Sequence, residues 1–221
     1  MKTSYLILAL ITSTIISSCT KHEKIIDTSF QPGNILCSDG SIIHPSEYEN
    51  SSKQAVGIVF WCNNIQDTST SVIGYAISLQ DLPAEQLINT SENISSVSED
   101  ETSFDGEANT AAIKEFAEKD SIECPAITSV YNYVPYGYDG WYIGSVAQYK
   151  IAALNYPKIK ATLDVVGQSD YFSGTYWTST ENGSGEQTSM FFAYTIHLEN
   201  GTVSSSNKMK TNKIRPIITI R

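Results

Sequence analysis

Runs of apolar residues divide this chain into strands, then helices, then strands again. Asn34-Ile35-Leu36-Cys37 is a short apolar run leading into Ser38-Asp39-Gly40-Ser41, where Asp-Gly predicts a hairpin turn. Ala55 to Trp61 is apolar at nearly every position, the pattern of a strand buried on both faces. Gly74 to Leu79 is a third strand, and the three predict one antiparallel meander. The signal then changes period. Asn109-Thr110 is placed to cap a helix whose stripe is Ala112, Ile113, Phe116 and Ala117. Pro125 opens a second helix with Ala126, Ile127, Val130 and Tyr131 on one side. Pro157 starts another, with Ile159, Leu163 and Val166 aligned and Gly167 as its stop.

Between these helices lies the stretch that organises the rest, Gly140-Trp141-Tyr142-Ile143-Gly144-Ser145-Val146-Ala147-Gln148. It reads as a short buried strand, a glycine turn and a helix to about Tyr156. Ser145 with Gln148 three residues on predicts a capping box, each side chain bonding a backbone donor of the other. An aromatic loop, Asn132 to Asp139, feeds this motif.

The last third is β again. Tyr176-Trp177-Thr178-Ser179 is an aromatic strand expected to pack beside Trp141, and Glu181 to Gly185 is a loop. Met190 to Leu198 alternates as a half-buried strand does. Asn200-Gly201 predicts a type I′ hairpin into Thr202-Val203. Ile214 to Ile220 closes the chain as one strand, with Pro216 placing it at an edge or bulge. Strands, helices, strands: the fold class is α+β.

Gln80 to Glu107 has no usable period. It is polar, acidic and serine-rich, and reads as a long surface loop, more disordered than ordered. The acids in it do not fit a calcium-loop spacing.

The start of the chain is an address. Met1-Lys2 precedes an apolar run, Tyr5 to Ile16, too short to span a bilayer but suited to a secretory signal. It ends in Ile16-Ser17-Ser18-Cys19, which resembles a bacterial lipobox with Cys19 as the lipidated first residue. Ordinary cleavage nearby and an uncleaved anchor are the alternatives. On the lipoprotein reading, 1–18 is the signal peptide and 19–32 a polar tether. The protein then sits at the outer membrane or cell surface, facing out or toward the periplasm, held to the membrane through its lipid alone.

Charge narrows the partners. The net charge is −10, and losing Lys2 with the leader leaves 13 basic against 24 acidic residues. Such a chain repels nucleic acid, so none is expected as a partner. The charge is also segregated: no basic residue lies between Lys53 and Lys114, and no acid follows Glu199. Two solvated faces with weak mutual attraction are the ordinary account. With Cys19 lipidated, Cys37, Cys62 and Cys124 remain, and thiols outside the cytoplasm tend to pair. Cys37 and Cys62 flank two runs expected to be neighbouring strands, so a bridge is expected between them. The spacing suits no metal.

A set of short motifs now falls in a familiar order. Asn109-Thr110-Ala111-Ala112-Ile113, Cys124-Pro125-Ala126, Gly140-Trp141-Tyr142-Ile143, Tyr176 to Glu181, Asn200-Gly201 and Arg215-Pro216 follow one another. The order resembles bacterial secreted proteins with a C-type-lectin-like domain of the Lcl C-terminal, collagen-like-adhesin type. More distantly, it is similar to the variable proteins of diversity-generating retroelements and to formylglycine-generating enzymes. The resemblance covers about residues 105–221. The family commonly has proline where this chain has Gly144, which leaves the turn less firmly defined.

The resemblance implies a C-type-lectin-like domain over 109–221, preceded by an antiparallel strand region at 33–80 and an acidic loop at 81–108. Residues 33–221 are expected to form one unit. It also implies a display scaffold whose exposed face includes Trp177, Glu181, Asn182, Tyr194, Asn207 and Lys208 as ligand-binding residues, although Trp177 also reads as core. The Glu-Pro-Asn and Trp-Asn-Asp motifs of calcium-dependent sugar binding are absent, so no metal or other cofactor is expected.

Enzyme chemistry finds little to stand on. Only His22, His44 and His197 could serve a triad, and no Gly-x-Ser-x-Gly stretch raises a nucleophile. No cysteine follows Cys124, whereas the copper-binding cysteines of formylglycine-generating enzymes lie late in the chain. A carboxylate-based hydrolase leaves no linear signature and stays open as a minor alternative. The expectation is a surface lipoprotein that binds an extracellular glycan or protein through loops near Trp177, Tyr194 and Glu181 to Gly185. The alternative is a structural subunit of a pilus or adhesin-type assembly, offering an open sheet edge around Ile214 to Ile220.

Overall fold

β1 (Ile35–Cys37) turns through the Asp39-Gly40 loop into β2 (Ile42–Ile43), with Gly40 at φ 80°, a left-handed value that glycine adopts freely. The computed structural model that carries these elements describes residues 30–63, 71–183 and 188–221. The predicted leader, Cys19, the tether up to residue 29, and Ser184 and Gly185 of the predicted loop lie outside the described residues. A single turn, α1 (Pro45–Tyr48), leads to β3 (Ala55–Cys62) and β4 (Gly74–Ser78). β5 (Leu82–Gln86) follows, then α2 (Gly106–Asp120), α3 (Pro125–Tyr131), α4 (Val146–Leu154) and α5 (Tyr156–Val165). The chain ends with β6 (Tyr176–Glu181), a short α6 (Thr188–Phe191), β7 (Phe192–His197), β8 (Thr202–Asn207), β9 (Thr211–Ile214) and β10 (Ile217–Ile220).

Two five-stranded sheets result, ordered β10-β4-β3-β1-β2 and β5-β9-β6-β7-β8, with helices between them in sequence, so the class is α+β. In the first sheet β3 lies between β1 and β4, all antiparallel, as the apolar runs predict. In the second, β6, β7 and β8 are antiparallel, and β9 joins β6 in parallel through Tyr176 and Lys213. Arg215-Pro216 carries the chain from β9 in one sheet to β10 in the other. Proline suits this crossing, because it has no N–H to leave unbonded, and its carbonyl accepts from Ser78 N–H at 2.8 Å.

One hydrophobic core contains Val59 and Ile77 of the first sheet, Ile196 and Trp177 of the second, Ile113, Ile127, Tyr149 and Leu163 of the helices, and Trp141. The two tryptophans therefore share a core. The Gly144 turn is bonded to β6, with Ser179 N–H donating to Gly144 O at 2.9 Å and Val146 N–H to Thr180 Oγ1 at 3.2 Å. The predicted capping box is formed: Ser145 N–H donates to Gln148 Oε1 at 3.0 Å and Gln148 N–H to Ser145 Oγ at 3.4 Å.

Several sequence expectations need correction. The segment 81–108 is ordered. β5 pairs with β9, and Leu87, Ile88, Ile94 and Val97 are buried anchors whose irregular spacing gives no period. α2 begins at Gly106, so Asn109 and Thr110 lie inside the helix rather than at its cap. They bind neighbours rather than cap: Asn109 Oδ1 accepts from Ser98 N–H at 3.0 Å, and Thr110 Oγ1 donates to Gly106 O at 2.7 Å. The β7–β8 hairpin exists, but only Gly201 of the pair has positive φ, and Gly201 N–H donates to His197 O at 2.8 Å. This is a four-residue loop rather than a type I′ turn. Ile214 to Ile220 is two strands in two sheets, not one.

The expected Cys37–Cys62 bridge is absent, and both thiols are free and buried. Cys37 pairs with Ala55 at one end of β3 while Cys62 ends the same strand. That puts them roughly 20 Å apart at ~3.3 Å per residue. A disulfide requires Cα atoms within about 7 Å.

Candidate functional site

β6 is buried along all six residues, so its polar side chains must find partners inside the protein. Trp177 is fully buried and its indole N–H donates to Glu85 O at 2.8 Å, tying β6 to β5. It holds the frame and cannot reach a ligand, which corrects its assignment to the binding face.

Glu181 ends β6 and Lys208 follows β8. Their backbones flank the start of β7, about 10 Å apart at the usual strand spacing. The lysine stem spans that gap, and its ammonium contacts the Glu181 carboxylate with the two side chains only 1% and 2% exposed. The surrounding groups complete the lock. Ile94 N–H donates to Glu181 Oε1 and Oε2 at 3.4 and 3.3 Å, Glu181 N–H donates to Ser98 O at 3.1 Å, and Lys208 Nζ donates to Glu92 O at 2.9 Å. Burial pushes the Glu181 carboxyl up and the Lys208 ammonium down, each opposed by the charge of the other. The pair thus straps the acidic segment across the ends of β6 and β8. Neither residue is open to a ligand.

Asn182 is buried beside them, its N–H donating to Phe192 O at 3.1 Å. Asn207 is half-buried and shapes the turn after β8, its Oδ1 accepting from Met209 N–H at 2.9 Å. Tyr194 is half-buried on β7, and its hydroxyl is pushed up first by burial and then by the Glu101 carboxylate. The structure therefore brings Glu181 and Lys208 together as a structural lock with Asn182 buried beside them, and leaves Tyr194 and Asn207 partly open. A charged residue at the end of an entirely apolar-and-hydroxyl strand was the signal that its side chain points inward.

A second lock uses the charge asymmetry. Arg215 is fully buried, donating through Nε to Ser78 O at 3.0 Å and through Nη1 to Asp81 Oδ1 at 3.0 Å and Asp170 O at 2.9 Å. Asp81 also accepts from Lys213 Nζ and the Tyr176 hydroxyl, both at 3.0 Å. Arg221 meets Glu107 at 2.7 Å. The basic C-terminal stretch and the acidic middle are thus stitched to each other, more closely than two solvated faces.

The expected edge at the chain's end exists, since β10 is the outermost strand of its sheet, but it is covered in part. Ile217 exchanges both backbone hydrogen bonds with Tyr142, each 2.9 Å, and Ile217, Ile218 and Ile220 are buried. β8 is a different matter. It pairs residue for residue with β7, carries the uncharged sequence Thr-Val-Ser-Ser-Ser-Asn, and has no strand on its other side among the described residues.

Several concavities lie away from this face among the described residues, two of them at the helices and beside the aromatic loop. One, about 620 Å³, runs between α2 and α3, where Lys114 meets Glu118 at 2.7 Å and sits 5.2 Å over the Tyr131 ring. The other, about 340 Å³, opens beside the aromatic loop that carries Tyr133 and Tyr136. Among the described residues no group of three histidine, cysteine or acidic side chains is placed to hold a metal, and no helix is long and apolar enough to cross a membrane.

No family model matches this chain, and no curated protein does. Its fold is similar to that of a crystallised fimbrial protein from Bacteroides ovatus, with a TM-score of 0.67 and 16% identity. The alignment covers 85% of this chain and 48% of that one, so the chain spans about half the length of the solved structure it matches.

Proposed function

We propose that this chain is a subunit of a fimbria- or adhesin-type assembly at the cell surface, anchored through a lipid on Cys19. The observation that carries the reading is the fold held in common with the fimbrial protein over 85% of the chain. The arrangement of polar groups agrees with it. Residues expected to bind a ligand are spent on buried locks, the economy of a building block that must be stiff. β8 supplies an uncharged edge of the kind that accepts a strand from another chain. It takes the role first expected of Ile214 to Ile220.

We infer a C-type-lectin-like domain over 109–221, supported by the order of the motifs and by the shared core of Trp141 and Trp177. The test of the proposal is surface exposure. Full-length tagged chain in its own cells should be removed by protease added to intact cells, and Cys19→Ala should release it into the medium or periplasm. Protection of the wild-type chain from external protease would count against the proposal.

A further inference from the structure

The concavity beside the aromatic loop has an unusual wall for so acidic a chain. Its polar and aromatic lining is Tyr48, Gln54, Gln80, Tyr133, Tyr136 and Gln168, the rest is apolar, and no charged residue contributes. The chain as a whole carries a net charge of −10. At about 340 Å³ it falls in the ~300–1,000 Å³ range of small-molecule sites. We propose that it is a binding site for a neutral saccharide.

Three observations support this ligand class. The absence of charge from the wall disfavours an ion, which would leave water for a site with no counter-charge. Tyrosine rings offer apolar faces for the C–H side of a sugar, and the amides of Gln54, Gln80 and Gln168 can both donate to and accept from hydroxyls. Gln168 is half-buried, and Gln54 and Gln80 are exposed with their amides open to solvent. Finally, Tyr136 is placed rather than tucked away. It is 70% exposed, with φ 50° and ψ 30°, a left-handed conformation that a large side chain rarely adopts. The turn is held by Tyr138 N–H to Pro135 O at 2.9 Å, and its root by Tyr133 set edge-on against Trp141 at 5.3 Å. Such strain at an exposed ring fits a residue kept for contact.

The site lies apart from the face first expected to bind and does not depend on assembly. A chain that assembles but binds no sugar would overturn this inference alone. The test is saturation-transfer NMR and titration of the full chain with maltose, cellobiose, lactose and chitobiose, beside sialyllactose and a proline-rich peptide. At least one neutral disaccharide should saturate the protein below about 10 mM. Tyr136→Asn, which removes the ring but tolerates the left-handed backbone, should weaken it about tenfold or more with an unchanged melting temperature. Failure of every neutral sugar to bind, tighter binding of sialyllactose or the peptide, or wild-type affinity in Tyr136→Asn would each overturn the proposal.

Discussion

Lys208, just past the end of β8, and Glu181, the last residue of β6, meet with almost no solvent between or around them. Breaking such a pair leaves one buried charge uncompensated, at a cost of about 3–5 kcal/mol, whereas replacing both partners with apolar residues can be neutral or stabilising. Glu181→Leu and Lys208→Met alone should therefore each lower stability by about 3–5 kcal/mol in urea unfolding, and the double variant should recover most of the loss. Additive losses would mean that the two side chains do not face each other.

A second expectation concerns Gly106, where α2 starts against the capping box of α4. A Cβ there would lie 2.3 Å from Gln148 Oε1 and 2.6 Å from the Ser145 backbone nitrogen. Glycine-to-alanine changes at unstrained sites stabilise by ~0.4–1 kcal/mol. Here the sign should reverse, with Gly106→Ala costing about 1–3 kcal/mol through overpacking. A melting temperature equal to or above wild type would refute the close approach of the two helix ends.

The tyrosines give a pH test. Burial pushes Tyr133 up to about 12, and Tyr142, Tyr149 and Tyr176 are raised by burial as well. Their folded values lie above the unfolded value of about 10. The stability they contribute is thus complete below pH ~10 and is lost as pH rises through the folded values. Phenolate absorbance of the native protein should lag behind that of the urea-unfolded chain above pH ~10, while the urea midpoint falls. Coincident titration curves would contradict the burial of these rings.

Cysteine chemistry tests the topology. Burial raises Cys37 and Cys124 and pushes Cys62 up to about 11, so thiolate is scarce at neutral pH. Alkylation should find Cys37 and Cys62 slow to react until unfolding, and half-buried Cys124 faster than either. A pair that resists alkylation until a reductant is added, seen as a Cys37–Cys62 peptide in non-reducing digests, would contradict the observed pairing of β1 with β3.

Local signals were legible where a few neighbours decide the outcome. Ser145 and Gln148 cap a helix three residues apart, Pro125 starts one, and Gly167 at φ 72° ends one. What stayed hidden depends on distant partners. Lys208 looks like a solvated lysine until Glu181 and Glu92 are brought to it. Ile94 looks like a stray apolar residue until β6 passes beneath it. Arg215-Pro216 gave no hint that β9 and β10 belong to different sheets. Glu181 and Lys208 were read as exposed for the same reason, because charge usually is, and both are buried.

Assembly is the claim on which the functional reading turns. Surface appendages sheared from cells producing the tagged full chain, sedimented and blotted, measure it directly. The chain is expected in the high-mass pellet, and a β8 variant such as Ser205→Pro should leave that fraction while keeping its native melting temperature. Wild-type chain confined to the monomer fraction would contradict the account.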